Sequence, residues 1–187
     1  MKLIIFFITF SLILNIKSAY SSTTYVDAYD FSNQNSTGTY INGLEFNDDG
    51  TKVFIIDGNS DLVTEYSLST AYDLLTMSFT RSYDVSGEES NPKDLVFNND
   101  GKKLFIIGQS GDGVDEYHLT TGYDLSTMSH DSFKSTFSQE KSATGITFNS
   151  NGTKMFIVGY RGDEVNEFTL TTGFDVSSAS HDSLLSV

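Results

Sequence analysis

A segment that returns at a fixed interval constrains a chain more than any composition does. GLEFNDDGTKVFIIDG starts at Gly43, DLVFNNDGKKLFIIG at Asp94 and GITFNSNGTKMFIVG at Gly145, so successive copies stand 51 residues apart with no insertion. Such a period marks stacked supersecondary units, each unable to bury its own apolar faces and each covering those of its neighbour. Residues 43–93, 94–144 and 145–187 are therefore expected to be three copies of one module, preceded by a shorter piece at residues 22–42.

Within each copy the pattern reads as four short strands. Leu44 with Phe46, Leu95 with Phe97, and Ile146 with Phe148 place apolar residues on one side of a brief first strand. Asn47-Asp48-Asp49-Gly50, Asn98-Asn99-Asp100-Gly101 and Asn149-Ser150-Asn151-Gly152 follow, and the glycine supplies the positive φ that a tight hairpin needs. The second strand, at residues 52–56, 103–107 and 154–158, is nearly continuous in apolar residues after its Lys, which means that both of its faces are covered. The third carries the frame V-x-E-Y/F-x-L at residues 63–68, 114–119 and 165–170. With the hairpin closed around Asn59 and Ser60, Glu65 lies opposite Phe54 and diagonal to Lys52, within reach of an ion pair. The same pairing is expected for Glu116 with Lys103 and for Glu167 with Lys154.

STAYDL, TTGYDL and TTGFDV then lead to the fourth strand. Gly122 and Gly173 are expected to allow a bend there, with Tyr72, Tyr123 or Phe174 packed over it and Asp73, Asp124 or Asp175 capping nearby amides. The fourth strand, at about residues 77–85 and 128–137, reads as the least regular of the four. Fifteen Phe, ten Tyr and a single Pro suit strands joined by tight turns.

Residues 1–21 stand apart. Met1 and Lys2 precede an apolar run at residues 3–16, shorter than the roughly 20 residues a spanning helix needs. Small residues at Ala19 and Ser21 complete the pattern of a secretory signal peptide cleaved after Ser21. The expected location is thus secreted, periplasmic or at the cell surface, with no membrane insertion after cleavage. The whole chain has a formal charge of −14, and removing Lys2 and Lys17 makes it two units more negative. That surface disfavours nucleic acid and favours cations or basic partners. There is no cysteine, so neither disulfides nor thiolate metal sites are available and the fold rests on its core. Residues 25–31 have strand character, and AYDFS resembles SYDVS at residues 82–86, so this piece reads as an outer strand without the rest of its module.

The frame G-[LI]-x-F-x-x-[DN]-G-x-K-x-F-[IV]-x-G followed by V-x-E-[YF]-x-L resembles the blade repeats of bacterial β-propellers, the NHL, YVTN and TolB-like group. The resemblance covers nearly all of the chain after residue 21 and implies an all-β fold of three four-stranded antiparallel blades. Propellers close with four to eight blades, so three blades imply a partial propeller, a piece of a longer one, or two chains completing a six-bladed ring. In propellers the loops joining second to third strands and fourth to next first strands share one end, which commonly carries the ligand. Here that end would present Asp61, Asp112, Asp163, Glu88 and Glu89 beside Arg161 and Lys93. A non-enzymatic binding module for an unidentified protein or glycan, without cofactor or bound metal, is the expectation. A lactonase- or hydrolase-type propeller, or a structural piece of a larger surface or fibre protein, is the alternative.

Three other patterns have plainer readings. Arg161-Gly162-Asp163 is one variant of the loop that reads Ser110-Gly111-Asp112 and Asn59-Ser60-Asp61 in the other copies. Asp48, Asp49 and Asp100 lack the spacing of a calcium loop and are explained by the hairpin. His130-Asp131 and His181-Asp182 are expected on the surface of the fourth strand, with no nucleophile elbow to serve them.

Overall fold

The computed structural model describes Ala28, Phe31, residues 40–161 and residues 164–182. The expected signal peptide, most of the outer strand and loop at residues 22–39, Gly162, Asp163 and residues 183–187 lie outside the described residues. Twelve strands are seen among those described: β1 (Ile41–Phe46), β2 (Lys52–Asp57), β3 (Leu62–Leu68), β4 (Met77–Asp84), β5 (Pro92–Phe97), β6 (Lys103–Gly108), β7 (Gly113–Leu119), β8 (Met128–Ser135), β9 (Ala143–Phe148), β10 (Lys154–Gly159), β11 (Asn166–Leu170) and β12 (Ala179–His181). They form three four-stranded sheets, each a meander of consecutive antiparallel neighbours. The fold is all-β, and the three sheets are the three blades expected from the repeat.

The hairpin between first and second strands is as the sequence predicts. Gly50, Gly101 and Gly152 take φ of 70°, 68° and 69°. The next bend differs from expectation, because its positive φ falls on the aromatic residue: Tyr72, Tyr123 and Phe174 stand at 60°, 57° and 56°. That conformation costs a side chain of this size of order 1 kcal/mol or more. It brings the ring flat against the hairpin glycine, where a Cβ would lie 2.3 Å from the ring, and lets the amide of Tyr72 donate to Gly50 O at 2.9 Å. The first hairpin and the third-to-fourth connection of each blade are thereby latched together. Asp73, Asp124 and Asp175 cap single 3₁₀ turns, each accepting from an amide two residues on. The fourth strands β4 and β8 are, at eight residues, longer than the other strands of their blades, with one bulge opposite Glu65/Tyr66 and Glu116/Tyr117.

Side chains of β2 and β6 alternate between two buried faces rather than between core and solvent. In β6 both faces meet a neighbouring blade, whereas the second face of β2, with Val53 and Ile55, packs on Phe31, Phe46 and Leu74. In β10, where both faces are also expected to be covered, Val158 is 41% exposed. Phe54 and Ile56 face blade 2 and join Leu104 and Ile106 in one buried cluster, while Phe105 and Ile107 face blade 3 and join Met155 and Ile157 in the next. Burial on both faces is the reason for the continuous apolar run. The blades sit side by side with β1 beside β5 and β5 beside β9.

One polar device crosses each interface. Glu65 lies opposite Phe54 in register, and Lys52 Nζ donates to Glu65 Oε1 at 2.8 Å, as the spacing predicts. The pair also reaches forward: Lys52 Nζ donates to Tyr123 O at 2.5 Å, and Leu125 N donates to Glu65 Oε2 at 3.2 Å. Blade 2 repeats this with Lys103 on Glu116 Oε1 and Phe174 O, and with Val176 N on Glu116 Oε2 at 2.9 Å. Arg81 adds a second cation to the first clip, 3.5 Å from Glu65 and 2.8 Å from Asp124. A buried carboxylate is tolerated here because a cation and a backbone amide both answer it. Replacing Glu116 with Ala leaves Lys103 and the Val176 amide unanswered, and urea unfolding is expected to show a loss of about 3–5 kcal/mol, with Glu116→Gln, which keeps an acceptor for the amide, losing less.

Candidate functional site

The loops that follow the second and fourth strands share one end of the blades. Gln109 N donates to Asn91 O at 3.2 Å and Tyr160 N donates to Ser142 O at 3.1 Å, which ties each strand-connecting loop to the linker from the preceding blade. Asn42 Nδ2 donates to Pro92 O at 2.7 Å across the first pair of blades.

The sequence-selected residues divide between this end's two seams. Asp61, Glu88 and Glu89 gather where blades 1 and 2 meet. Asp112 lies beside the start of the linker after β8, its carbonyl accepting from Thr136 N at 3.0 Å. Arg161 is exposed at the seam of blades 2 and 3, its amide donating to Glu140 Oε2 at 3.3 Å, and Lys93 is half-buried within β5. Asp163 lies outside the described residues.

Glu89 departs from the expected ligand role. It is fully buried and accepts from Asn91 N at 2.8 Å, Ser110 N at 3.0 Å and Gly111 N at 2.8 Å, so its charge is spent on shaping two loops. It can lie there because Gly108 has no Cβ, which would fall 2.4 Å from the carboxyl carbon. Glu140, one period later, does the same with Ser142 N at 2.7 Å against Gly159. Asp61 and Asp112 also have a backbone reason to recur, standing at φ of 55° and 59°, a region that Asp tolerates better than most residues.

Sequence reasoning missed the centre of the first seam. Asp115, on β7, faces blade 1 and is buried. Its Oδ1 lies 3.0 Å from His130 Nε2, and its Oδ2 is buried without a hydrogen-bond partner among the described residues. His130 is exposed on the fourth strand, as expected, and in addition it pairs with Asp115 and packs edge-on to the Tyr117 ring. The Tyr117 hydroxyl donates to Glu88 Oε2 at 3.4 Å. One period later the pair becomes Asn166 and His181, with the His181 ring against Phe168. Asp182 beside it accepts from Lys154 Nζ at 2.7 Å.

Burial pushes the Asp115 carboxyl up to about 6, with the negative charges of Glu89 and Glu88 adding to the rise and His130 opposing it. Asp61 is raised too, by burial and then by Asp84, Glu89 and Asp57. On β1, Glu45 is pushed up to about 7 by burial, although Phe97 N donates to its Oε2 at 2.8 Å. Burial is the largest cause at all three carboxyls, and neighbouring acids add to it.

Comparisons place these blades. No family model and no curated protein matches the chain. Among solved structures, a candidate 6-phosphogluconolactonase of Bacteroides uniformis superposes with a TM-score of 0.58 at 14% identity, over 76% of this chain and 40% of that one. The β-propeller domain of Cps50 (Swd1) from Myceliophthora thermophila gives 0.53 at 8% identity, over 79% and 43%. The periplasmic gluconolactonase of Pseudomonas aeruginosa gives 0.52 at 15%, over 76% and 38%. The chain spans about two fifths of the length of these structures. The protein is built of β-propeller blades. Likeness at such identities establishes the fold alone.

A carboxyl that holds its proton more tightly in the folded chain than in the unfolded one contributes stability that is present below the ordinary carboxyl range and lost as pH rises through the folded value. For Asp115 and Glu45 the loss is expected between pH about 4 and about 7. Thermal unfolding across that window is expected to show a falling midpoint, and Glu45→Gln with Asp115→Asn is expected to flatten it.

Proposed function

We propose that this chain is an exported, non-enzymatic binding module whose loop end takes a positively charged partner, a basic protein segment in preference to a neutral glycan. Export rests on the signal-peptide pattern of residues 1–21. The observation that carries the binding reading is the gathering of carboxylates at the first seam: Asp115 Oδ2 and Asp61 Oδ1 are buried without partners among the described residues, and burial first, neighbouring acids second, raise both groups above the ordinary range. A cation placed there relieves the repulsion, which no neutral ligand does. Glu89 and Glu140 hold the loops in place beforehand, so little ordering remains to be done on binding. Exposed Glu88 supplies the approach at this seam, and Asp112 adds a further carboxylate at the same end.

An oligolysine peptide titrated against the purified chain tests this. Binding is expected at low salt, weakening as salt is raised, with Asp61→Asn and Asp112→Asn together lowering affinity about tenfold, or ~1.4 kcal/mol. Equal affinity for an acidic peptide, or no binding to oligolysine, would sink it.

The Asp115–His130 bond supports a second reading, a lactonase- or hydrolase-type enzyme in which Asp115 orients His130 as a base. The gluconolactonase among the solved neighbours suggests the substrate class to try. Turnover of a sugar lactone abolished by His130→Ala would put this reading first.

A further inference from the structure

The two end faces of the three-blade array are halves of the same joint. The trailing face of blade 3 carries the forward-reaching half: Lys154, Glu167 and Phe156 stand where Lys103, Glu116 and Phe105 stand in blade 2. Lys154 Nζ donates to Glu167 Oε1 at 2.5 Å, so the ion pair is already formed. No further blade covers it among the described residues. The Glu167 side chain is 43% exposed, against 2% for Glu65 and 1% for Glu116. Val165 is 57% exposed, whereas its counterparts Val63 and Val114 are at 0%.

The leading face of blade 1 carries the receiving half. At the internal joints Phe54 packs on Phe97 at 4.7 Å and Phe105 packs on Phe148 at 4.5 Å, each receiving ring leaning on Tyr123 or Phe174. Blade 1 has that receiving pair ready: Phe46 and Tyr72 lie 5.2 Å apart, against 5.0 Å for Phe97 with Tyr123 and 5.4 Å for Phe148 with Phe174. Leu44 is 59% exposed where Leu95 is at 3%. Phe31 covers the outer part of this face by packing on Tyr66. Between them a hollow of about 270 Å³ stays open, lined in part by Leu44, Phe46, Ile55 and Leu74. No hydrogen bond to the Leu74 amide or the Tyr72 carbonyl is seen among the described residues, and these are the groups that match Leu125 N and Tyr123 O in the first internal clip.

We propose that the trailing face of blade 3 docks on the leading face of blade 1 of a second copy of this chain, with Phe156 against the Phe46–Tyr72 pair, Glu167 accepting from Leu74 N and Lys154 donating to Tyr72 O. The proposal is independent of the binding role of the loop end. Both halves occur on one chain and repeat, residue by residue, a joint the chain makes twice internally. A second copy is therefore the occupant whose fit is already written in the fold. Such a contact is head-to-tail, and it is satisfied at both faces only if it closes into a ring. Two copies give six blades, and three would exceed the four to eight that propellers use.

Light scattering on the purified chain at micromolar concentration tests this. The mass of two chains is expected, falling to half in Phe156→Arg and, independently, in Leu44→Arg, with circular dichroism unchanged. Mixing the two variants restores one intact joint per pair, so a dimer is expected to reappear at higher concentration. A monomeric unsubstituted chain would overturn the proposal, as would a dimer insensitive to both substitutions or a larger assembly.

Discussion

A carboxylate in a dry interface is the constraint around which the blades are arranged. At the two internal joints the forward-facing Glu is buried among aromatic and aliphatic side chains, where an unanswered charge would cost more than any single apolar contact returns. It is tolerated because a Lys from its own sheet and a backbone amide from the next blade both point at it. The first partner depends on hairpin register and the second on how the blades are set against each other. Strand pairing and blade packing are thus tied to the same two oxygens, and apolar burial around them supplies the bulk of the cohesion.

The loop end follows the same logic with the opposite outcome. Glu89 and Glu140 are answered in full by loop amides and vanish into the scaffold, whereas Asp115 and Asp61 keep an oxygen each without a partner among the described residues. The seam between blades 1 and 2 is where the sequence departs from its own repeat: Thr64, Asp115 and Asn166 occupy one position in the three copies, and Glu88 is matched by Gln139. Scaffold residues recur at the blade period because every blade needs them. Asp115 and Glu88 break that period, so no scaffold duty common to all three blades accounts for them.

That contrast explains what the sequence disclosed. The sheets, the hairpin glycines and the Lys–Glu pairs were legible because each is stated three times, and strand register follows from turn length. The aromatic residue at positive φ was hidden, since the adjacent Gly122 and Gly173 are the natural candidates for the bend until the ring is seen lying on the hairpin glycine. Glu89 looked like a ligand residue because acidic loop positions usually face water, yet its repetition as Glu140 was a sign of a structural duty. Asp115 and His130 come from different strands that only the β7–β8 pairing, with its bulge, brings within bonding distance, and spacing along the chain carries no trace of that.

The forward-only direction of the Lys–Glu clip has an evolutionary corollary. Because every blade offers the same half-joint ahead and accepts the same half-joint behind, excising residues 94–144 as a unit would hand the Val176 amide to Glu65 and leave a joint of the same chemistry. Genes encoding such chains can gain or shed whole modules by unequal recombination without inventing a new interface, and selection on array length is thereby uncoupled from selection on sequence.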